Sequence, residues 1–79
     1  MLLCKVTGSV ISTRKNEKLK GCKFLIVESI ENSTKLVAID QIGAGVGETV
    51  LVVQGSAARL ASTQTDIPVD AAVIGIIDE

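Results

Sequence analysis

The chain has 79 residues, a net charge of −1, no histidine and one aromatic residue, although 47% of its residues are hydrophobic. This length predicts one domain over residues 1–79, with a core built from small aliphatic side chains. The near-neutral charge offers neither a basic footprint for nucleic acid nor a basic face for an anionic membrane, and no apolar run approaches the roughly 20 residues that span a bilayer.

The first predicted element is a long strand over residues 2–13, in which apolar side chains fall on alternate positions. Gly8 interrupts this alternation near its middle and predicts a sharp bend or a β-bulge. Residues 14–20 are charged and polar, which is typical of a solvated loop.

Two further strands follow, over residues 22–30 and 35–39. The polar cluster at residues 31–34 between them is short enough to join the two strands as an antiparallel hairpin.

The second half predicts a fourth strand over residues 48–54 and a fifth over residues 71–77. Between them, residues 55–61 include good helix formers, and Ser56 is placed to cap one or two helical turns. Residues 62–68 form a polar loop.

The fourth and fifth strands are apolar on both faces, yet the chain has no room for the helices that cover such strands in parallel α/β folds. Closure into a small barrel hides one face, and a partner subunit is the natural cover for the other. We therefore predict an all-β fold, a five-stranded OB-like β-barrel with one short helix before the last strand.

A glycine-rich segment at residues 40–48 looks at first like a phosphate-binding loop. A phosphate site needs its glycines to open a helix, whereas here they lead into the β-branched run at residues 49–54, and no Lys-Ser/Thr pair follows. The segment is instead expected to turn tightly or to approach a neighbour closely. Asp40 is expected to stabilise it by accepting hydrogen bonds from loop N–H groups, and Glu48 to do the same or to pair with a basic residue of the next subunit.

Two cysteines, Cys4 and Cys22, are expected to be reduced thiols that behave as small hydrophobic residues on strands. Without histidine a zinc site is not expected, and neither is any other metal or cofactor. A charge at Lys5 interrupts the apolar N-terminus, which predicts no signal peptide and hence a cytoplasmic location.

The chain contains Gly-Ala-Gly-Val-Gly-Glu at residues 43–48 and Gly-Ser-Ala-Ala-Arg at residues 55–59. These two motifs at this spacing resemble the EutN/CcmL family, the vertex proteins of bacterial microcompartment shells. The resemblance runs nearly end to end and includes residues 6–13, 37–40 and 74–78.

The resemblance implies a barrel that assembles into a cyclic homopentamer at the vertices of a carboxysome or metabolosome shell in the cytoplasm. The flat facets of such shells are tiled by a different, hexameric family, which is the expected partner. Members of the family are structural proteins, so the chain is not expected to be an enzyme.

Residues expected at the subunit interface or ring axis come from the glycine segment, the short helix and the approach to the last strand. Arg59 is either a solvated charge at the end of the helix or a fork that reaches a carboxylate such as Asp70, or a carbonyl, across the subunit boundary, and the family resemblance favours the fork. The full set is Gly43, Ala44, Gly45, Glu48, Ser56, Arg59 and Asp70.

The alternative function is an OB-fold module that binds single-stranded nucleic acid. Such modules need aromatic platforms for bases and a basic groove for phosphates. One phenylalanine and a net charge of −1 supply neither. An enzyme that used Asp40 and Glu48 as a carboxylate pair is disfavoured because hydrogen bonding to turn N–H groups is the more common use of such residues.

Overall fold

The computed structural model describes residues 1–62 and 66–78. The described residues form five strands, one short α-helix and one turn of 3-10 helix. In chain order these are β1 (Leu2–Val10), the 3-10 turn (Glu17–Leu19), β2 (Lys23–Ser29), β3 (Lys35–Asp40), β4 (Thr49–Gln54), α1 (Ser56–Leu60) and β5 (Ala71–Ile77).

The strands close into a barrel in the order β1-β2-β3-β5-β4, with β4 pairing back onto β1. All neighbouring pairs are antiparallel except β3 and β5, which run parallel and pair only at Ile39–Ala72 and Asp40–Val73. The predicted five-stranded OB-like barrel with a short helix before the last strand is confirmed.

The first strand carries a bulge and ends earlier than predicted. Its register against β2 shifts between Val6 and Gly8, as Gly8 indicated. The strand stops at Val10 rather than at residue 13, although Ile11 and Thr13 are β-branched residues that favour a strand. Val10 pairs with Phe24, close to the start of β2. Among the described residues no strand lies beside the residues that follow Val10, so the strand ends there.

The barrel interior is filled by aliphatic side chains from every strand. The period of two places alternate residues inside, which is why a strand such as β2 alternates buried and partly exposed positions. Cys4 is fully buried here as a free thiol, and burial raises its pKa. The buried residues of this cluster are Cys4, Val6, Leu25, Val27, Ala38, Ala44, Val50, Val52, Ala71 and Val73.

A second, smaller cluster lies outside the barrel wall, where α1 covers the outer surface of β3, β4 and β5. Ala58 of the helix and Ile67 of the following loop pack with Ile39, Val53 and Ala72. One part of the outer surface is thus covered by the chain itself. Residues 63–65 of the predicted polar loop lie outside the described residues.

The prediction that Ser56 caps this helix is wrong. Ser56 is the first residue of α1, and the capping position belongs to Gly55, with no side-chain hydrogen bond at the cap. Gly55 has a φ of +66° and donates its N–H to the carbonyl of Asp70 at 2.8 Å. A left-handed conformation here favours glycine, so the chain enters the helix through Gly55 rather than through a serine cap.

Candidate subunit interface and glycine loop

The loop between β3 and β4, residues 41–48, is anchored by a buried carboxylate. Asp40 is 4% exposed, and its Oδ1 accepts the N–H of Ile42 at 3.0 Å while its Oδ2 accepts the N–H of Ala44 at 2.8 Å. Hydrogen bonds to an ionised acceptor are stronger than neutral ones, and these fix the first half of the loop onto the end of β3.

Lys23 completes this network, although sequence reasoning did not single it out. Its Nζ lies 3.2 Å from Oδ2 of Asp40 and donates to the carbonyl of Ala44 at 2.7 Å. The position of Lys23 in the hairpin indicates this contact, because Lys23 and Asp40 are direct cross-strand partners in β2 and β3. Opposite charges at such positions attract each other.

Ala44 is the residue that the loop turns inward. Its side chain is fully buried and belongs to the cluster inside the barrel. The Ala44 side chain is therefore occupied within its own subunit, and the expected approach of a neighbour at this position would have to be to the loop backbone. Gly43, Val46 and Gly47 on either side of it are exposed.

The second half of the loop is held by Glu48 and by β1. Oε1 of Glu48 accepts the N–H of Gly45 at 2.7 Å, and Gly47 donates its N–H to the carbonyl of Val6 at 2.9 Å. No group of three metal-binding side chains is found within the described part of the chain. The loop is thus tied to the barrel by hydrogen bonds along both of its halves.

Gly45 and Gly47 of this loop differ in backbone conformation, and the difference leads to a prediction. Gly47 has a φ of +94° with no atom within 4 Å of an added Cβ, whereas Gly45 has an ordinary φ and an added Cβ would sit 3.5 Å from Oε1 of Glu48. We expect Gly47→Ala to lower the free energy of unfolding by roughly 1–2 kcal/mol, the strain of a left-handed alanine. Gly45→Ala is the matched control and should change it by clearly less.

Chemical unfolding followed by circular dichroism, with both variants at one protein concentration, measures the difference. Equal losses in the two variants would show that backbone conformation does not set the glycine requirement at Gly47.

The remaining predicted interface residues lie around α1. Arg59 is exposed in the last turn of the helix, and its guanidinium makes no ion pair with any described residue. Asp70 is exposed too, and its carbonyl holds the start of the helix through Gly55. Within one chain Arg59 and Asp70 do not bond to each other.

Aliphatic side chains remain on the outer surface in two rows that cross the strands. The first row, here the β2 face, joins Gly8, Ile26 and Val37 across β1, β2 and β3. Val37 is 53% exposed.

The second row, here the β4 face, joins Leu3, Leu51 and Gly75 across β1, β4 and β5. Leu3 is 47% exposed, and Leu51 leans over Gly75, where an added Cβ would meet it at 3.4 Å. Closing the barrel therefore leaves apolar surface on two different sides of the molecule.

These features define a small closed barrel with a glycine loop, two apolar outer faces and an exposed arginine at the end of its helix. The family model described as "Ethanolamine utilisation protein EutN/carboxysome" matches residues 1–78. The chain belongs to this EutN/CcmL family.

Known proteins similar to the chain include the carboxysome shell vertex protein CcmL of Synechococcus elongatus, which is 46% identical over an alignment of 83 positions. The alignment covers 99% of this chain and 84% of that protein. The solved structure of an ethanolamine utilization protein, EutN, has a TM-score of 0.94 at 46% identity and covers 100% of this chain and 88% of that one. The GrpN pentameric microcompartment shell protein from Rhodospirillum rubrum has a TM-score of 0.90 at 43% identity, with coverage of 100% and 95%.

No helix in the described residues combines the length and the apolar character needed to cross a bilayer.

Proposed function

We propose that this protein is a structural vertex protein of a bacterial microcompartment shell, acting as a ring of five copies. The observation that carries the proposal is the likeness of the whole chain to a pentameric shell protein, at a TM-score of 0.90 and 43% identity. Similar curated proteins are named shell vertex proteins of carboxysomes and of other microcompartments. The shell itself lies in the bacterial cytoplasm.

The physical support is the apolar surface that the barrel leaves uncovered. A ring joins subunits through heterologous contacts, in which one surface of each copy meets a different surface of the next. The β2 face and the β4 face are two such different surfaces on one small barrel. Burial of aliphatic groups contributes roughly 25 cal/mol per Å² of apolar area removed from water, so covering these faces favours assembly.

Polar contacts at the subunit boundary come from the glycine loop and α1. Arg59 has a planar guanidinium that can hold a carboxylate by two hydrogen bonds, and in the ring it pairs with Asp70 of the neighbouring copy. Gly43, Gly45, Glu48 and Ser56 lie at the same boundary, where the backbone of the loop approaches the neighbour closely.

The ring has a geometric function. A sheet of hexamers alone is flat, and a closed polyhedral shell needs five-fold units at its vertices. The partners of this protein are accordingly other copies of itself and the hexameric facet proteins around each vertex. No step in this function requires catalysis, a metal or a cofactor.

The structure adds no support to the alternative function, binding of single-stranded nucleic acid. The chain's one aromatic residue, Phe24, is half-buried on β2. Stacking of successive bases needs a series of accessible aromatic rings in a basic groove. An OB-like barrel by itself does not carry that function.

Native mass spectrometry tests the proposal directly. We expect a species of five chain masses at micromolar protein concentration, because the uncovered aliphatic surface favours association. A stable monomer under these conditions, with the barrel folded by circular dichroism, would contradict the proposed function.

A further inference from the structure

The C-terminal part of β1 is paired along one of its edges and open along the other. From Gly8 to Val10 the strand pairs with β2, whereas its pairing with β4 covers only Leu2, Leu3, Cys4 and Lys5. Among the described residues nothing pairs with the other edge of Gly8–Val10. We name residues 8–11, which run one residue past the end of β1, the β1 edge.

The end of β5 has a similar open edge. Its contact with β3 stops at Val73, while its pairing with β4 continues to Ile77. The edge that faces away from β4 at residues 74–77 therefore has no strand beside it in the described part of the chain. We name this segment the β5 edge.

A β-bulge lies beside each edge, but neither edge has the charged side chains or proline that commonly keep exposed strands apart. Natural proteins protect open strand edges with charged side chains, proline or a covering element, because unpaired backbone groups are templates for another strand. The β1 edge reads Gly-Ser-Val-Ile and the β5 edge reads Ile-Gly-Ile-Ile, without a charge or a proline in either. The absence of charged side chains and proline at both edges indicates that each is covered in the assembled state.

The side chains beside the two edges match one another. A notch of about 290 Å³ lies next to the start of the β5 edge, and Ile42, Ala61 and Ile74 line part of it. Ile11, at the end of the β1 edge, is 91% exposed. An isolated isoleucine this exposed has no packing role within its own subunit, whereas the notch offers an apolar site for one.

We propose that the β1 edge of each subunit pairs antiparallel with the β5 edge of the next copy, which places Ile11 beside Ile74 in the notch. The inference rests on the proposed ring and names the strands that join its subunits. Backbone hydrogen bonds between edges supply affinity, and the side chain in the notch fixes the register. Pairing also sets the β2 face of one copy beside the β4 face of the next.

Pairing of two different edges is a head-to-tail contact, which forms a ring when the rotation between neighbouring copies closes. Each subunit contributes one β1 edge and one β5 edge, so a closed ring leaves no edge open. A two-fold dimer made by pairing like edges would leave the other edge of each copy exposed. The edges thus favour a cyclic assembly over a dimer.

Charge substitutions at the two positions test the pairing. We expect Ile11→Lys alone, and Ile74→Glu alone, to raise the protein concentration at which half of the rings dissociate by about 100-fold, the size of a strong interface residue. The double variant should recover most of that loss, since lysine and glutamate then face each other across the boundary. Ile30→Lys is the control for the edges, because Ile30 is 56% exposed and its N–H bonds to Leu3, at the opposite end of β1 from the β1 edge.

A cross-link locates the contact independently of stability. The background for this experiment is a chain with Cys22→Ser, in which the one native cysteine left, Cys4, is fully buried. When Ile11→Cys and Ile74→Cys are added together, we expect disulfide-linked ladders of up to five chains on a denaturing gel. Each single cysteine variant should give no ladder beyond a dimer.

The outcomes separate the two proposals. A wild-type chain that is not a pentamer would overturn the proposed function. A wild-type pentamer that keeps its dissociation midpoint in both charge variants, and whose paired cysteines form no ladder, would overturn the edge pairing and leave the function standing.

Discussion

Shells assembled from facet proteins without this chain should remain open, and shells assembled with it should close. A flat hexagonal layer cannot enclose a volume, and a closed polyhedron tiled with hexagons requires twelve five-fold positions. Because the ring is needed at those positions alone, its omission should leave the facets intact and affect nearly every particle. Negative-stain electron microscopy of shells co-expressed with and without the chain makes the comparison.

Two variants refine this experiment. Ile30→Lys retains both strand edges and should close shells like the wild type. Ile11→Lys keeps the barrel but weakens the ring, so it should give open particles unless the chain is strongly overexpressed. Regular, closed shells in the sample that lacks the chain would show that the protein acts elsewhere.

The largest effect on the subunit itself is expected for Asp40→Ala. The substitution leaves the N–H groups of Ile42 and Ala44 without their acceptor and removes the partner of the Lys23 ammonium group. Loss of hydrogen bonds to a buried charged group leaves donors unsatisfied, and we expect the free energy of unfolding to fall by about 3 kcal/mol. Chemical unfolding at a fixed protein concentration measures this change.

A matched control is available at Asp66. This carboxylate bonds to Lys18 at 2.6 Å on the surface, and the hydrogen bond and positive charge of Lys18 lower the pKa of Asp66. Asp66→Ala should nevertheless change stability little, because an exposed ion pair competes with water. If the two substitutions lowered stability equally, the buried network at Asp40 would not be what holds the loop.

The architecture could be predicted from the sequence because local patterns and global topology agree. Alternation along β1, the polar turn after β2 and the doubly apolar β4 and β5 each indicate strands, and the chain is too short to cover them with helices. The predicted end of β1 is misplaced because a strand ends where its partner ends. Ile11 and Thr13 are β-branched and favour a strand, but β2 offers residues 11–13 no pairing beyond that of Val10 with Phe24.

The candidate site was harder to predict because its residues act through tertiary contacts. An aspartate at the end of a strand favours acceptance of turn N–H groups, and Asp40 accepts two. The inward position of Ala44 could not be predicted, since glycines on both sides remove the alternation that reveals burial. The contact of Lys23 with Asp40 depends on the register of the β2–β3 hairpin, and a sequence pattern does not determine that register to a single residue.

The short contact between β3 and β5 has a consequence for how the subunit is made. These strands are parallel and are separated in the chain by β4 and α1, so the barrel cannot close until β5 has been synthesised. Pairing of distant segments folds slowly compared with a local hairpin such as β2–β3. Until β5 is in place, the edges of β3 and β4 that it later covers are open and prone to aggregation. Since a shell requires few rings, slow synthesis of this chain relative to the facet proteins would keep the unassembled population small.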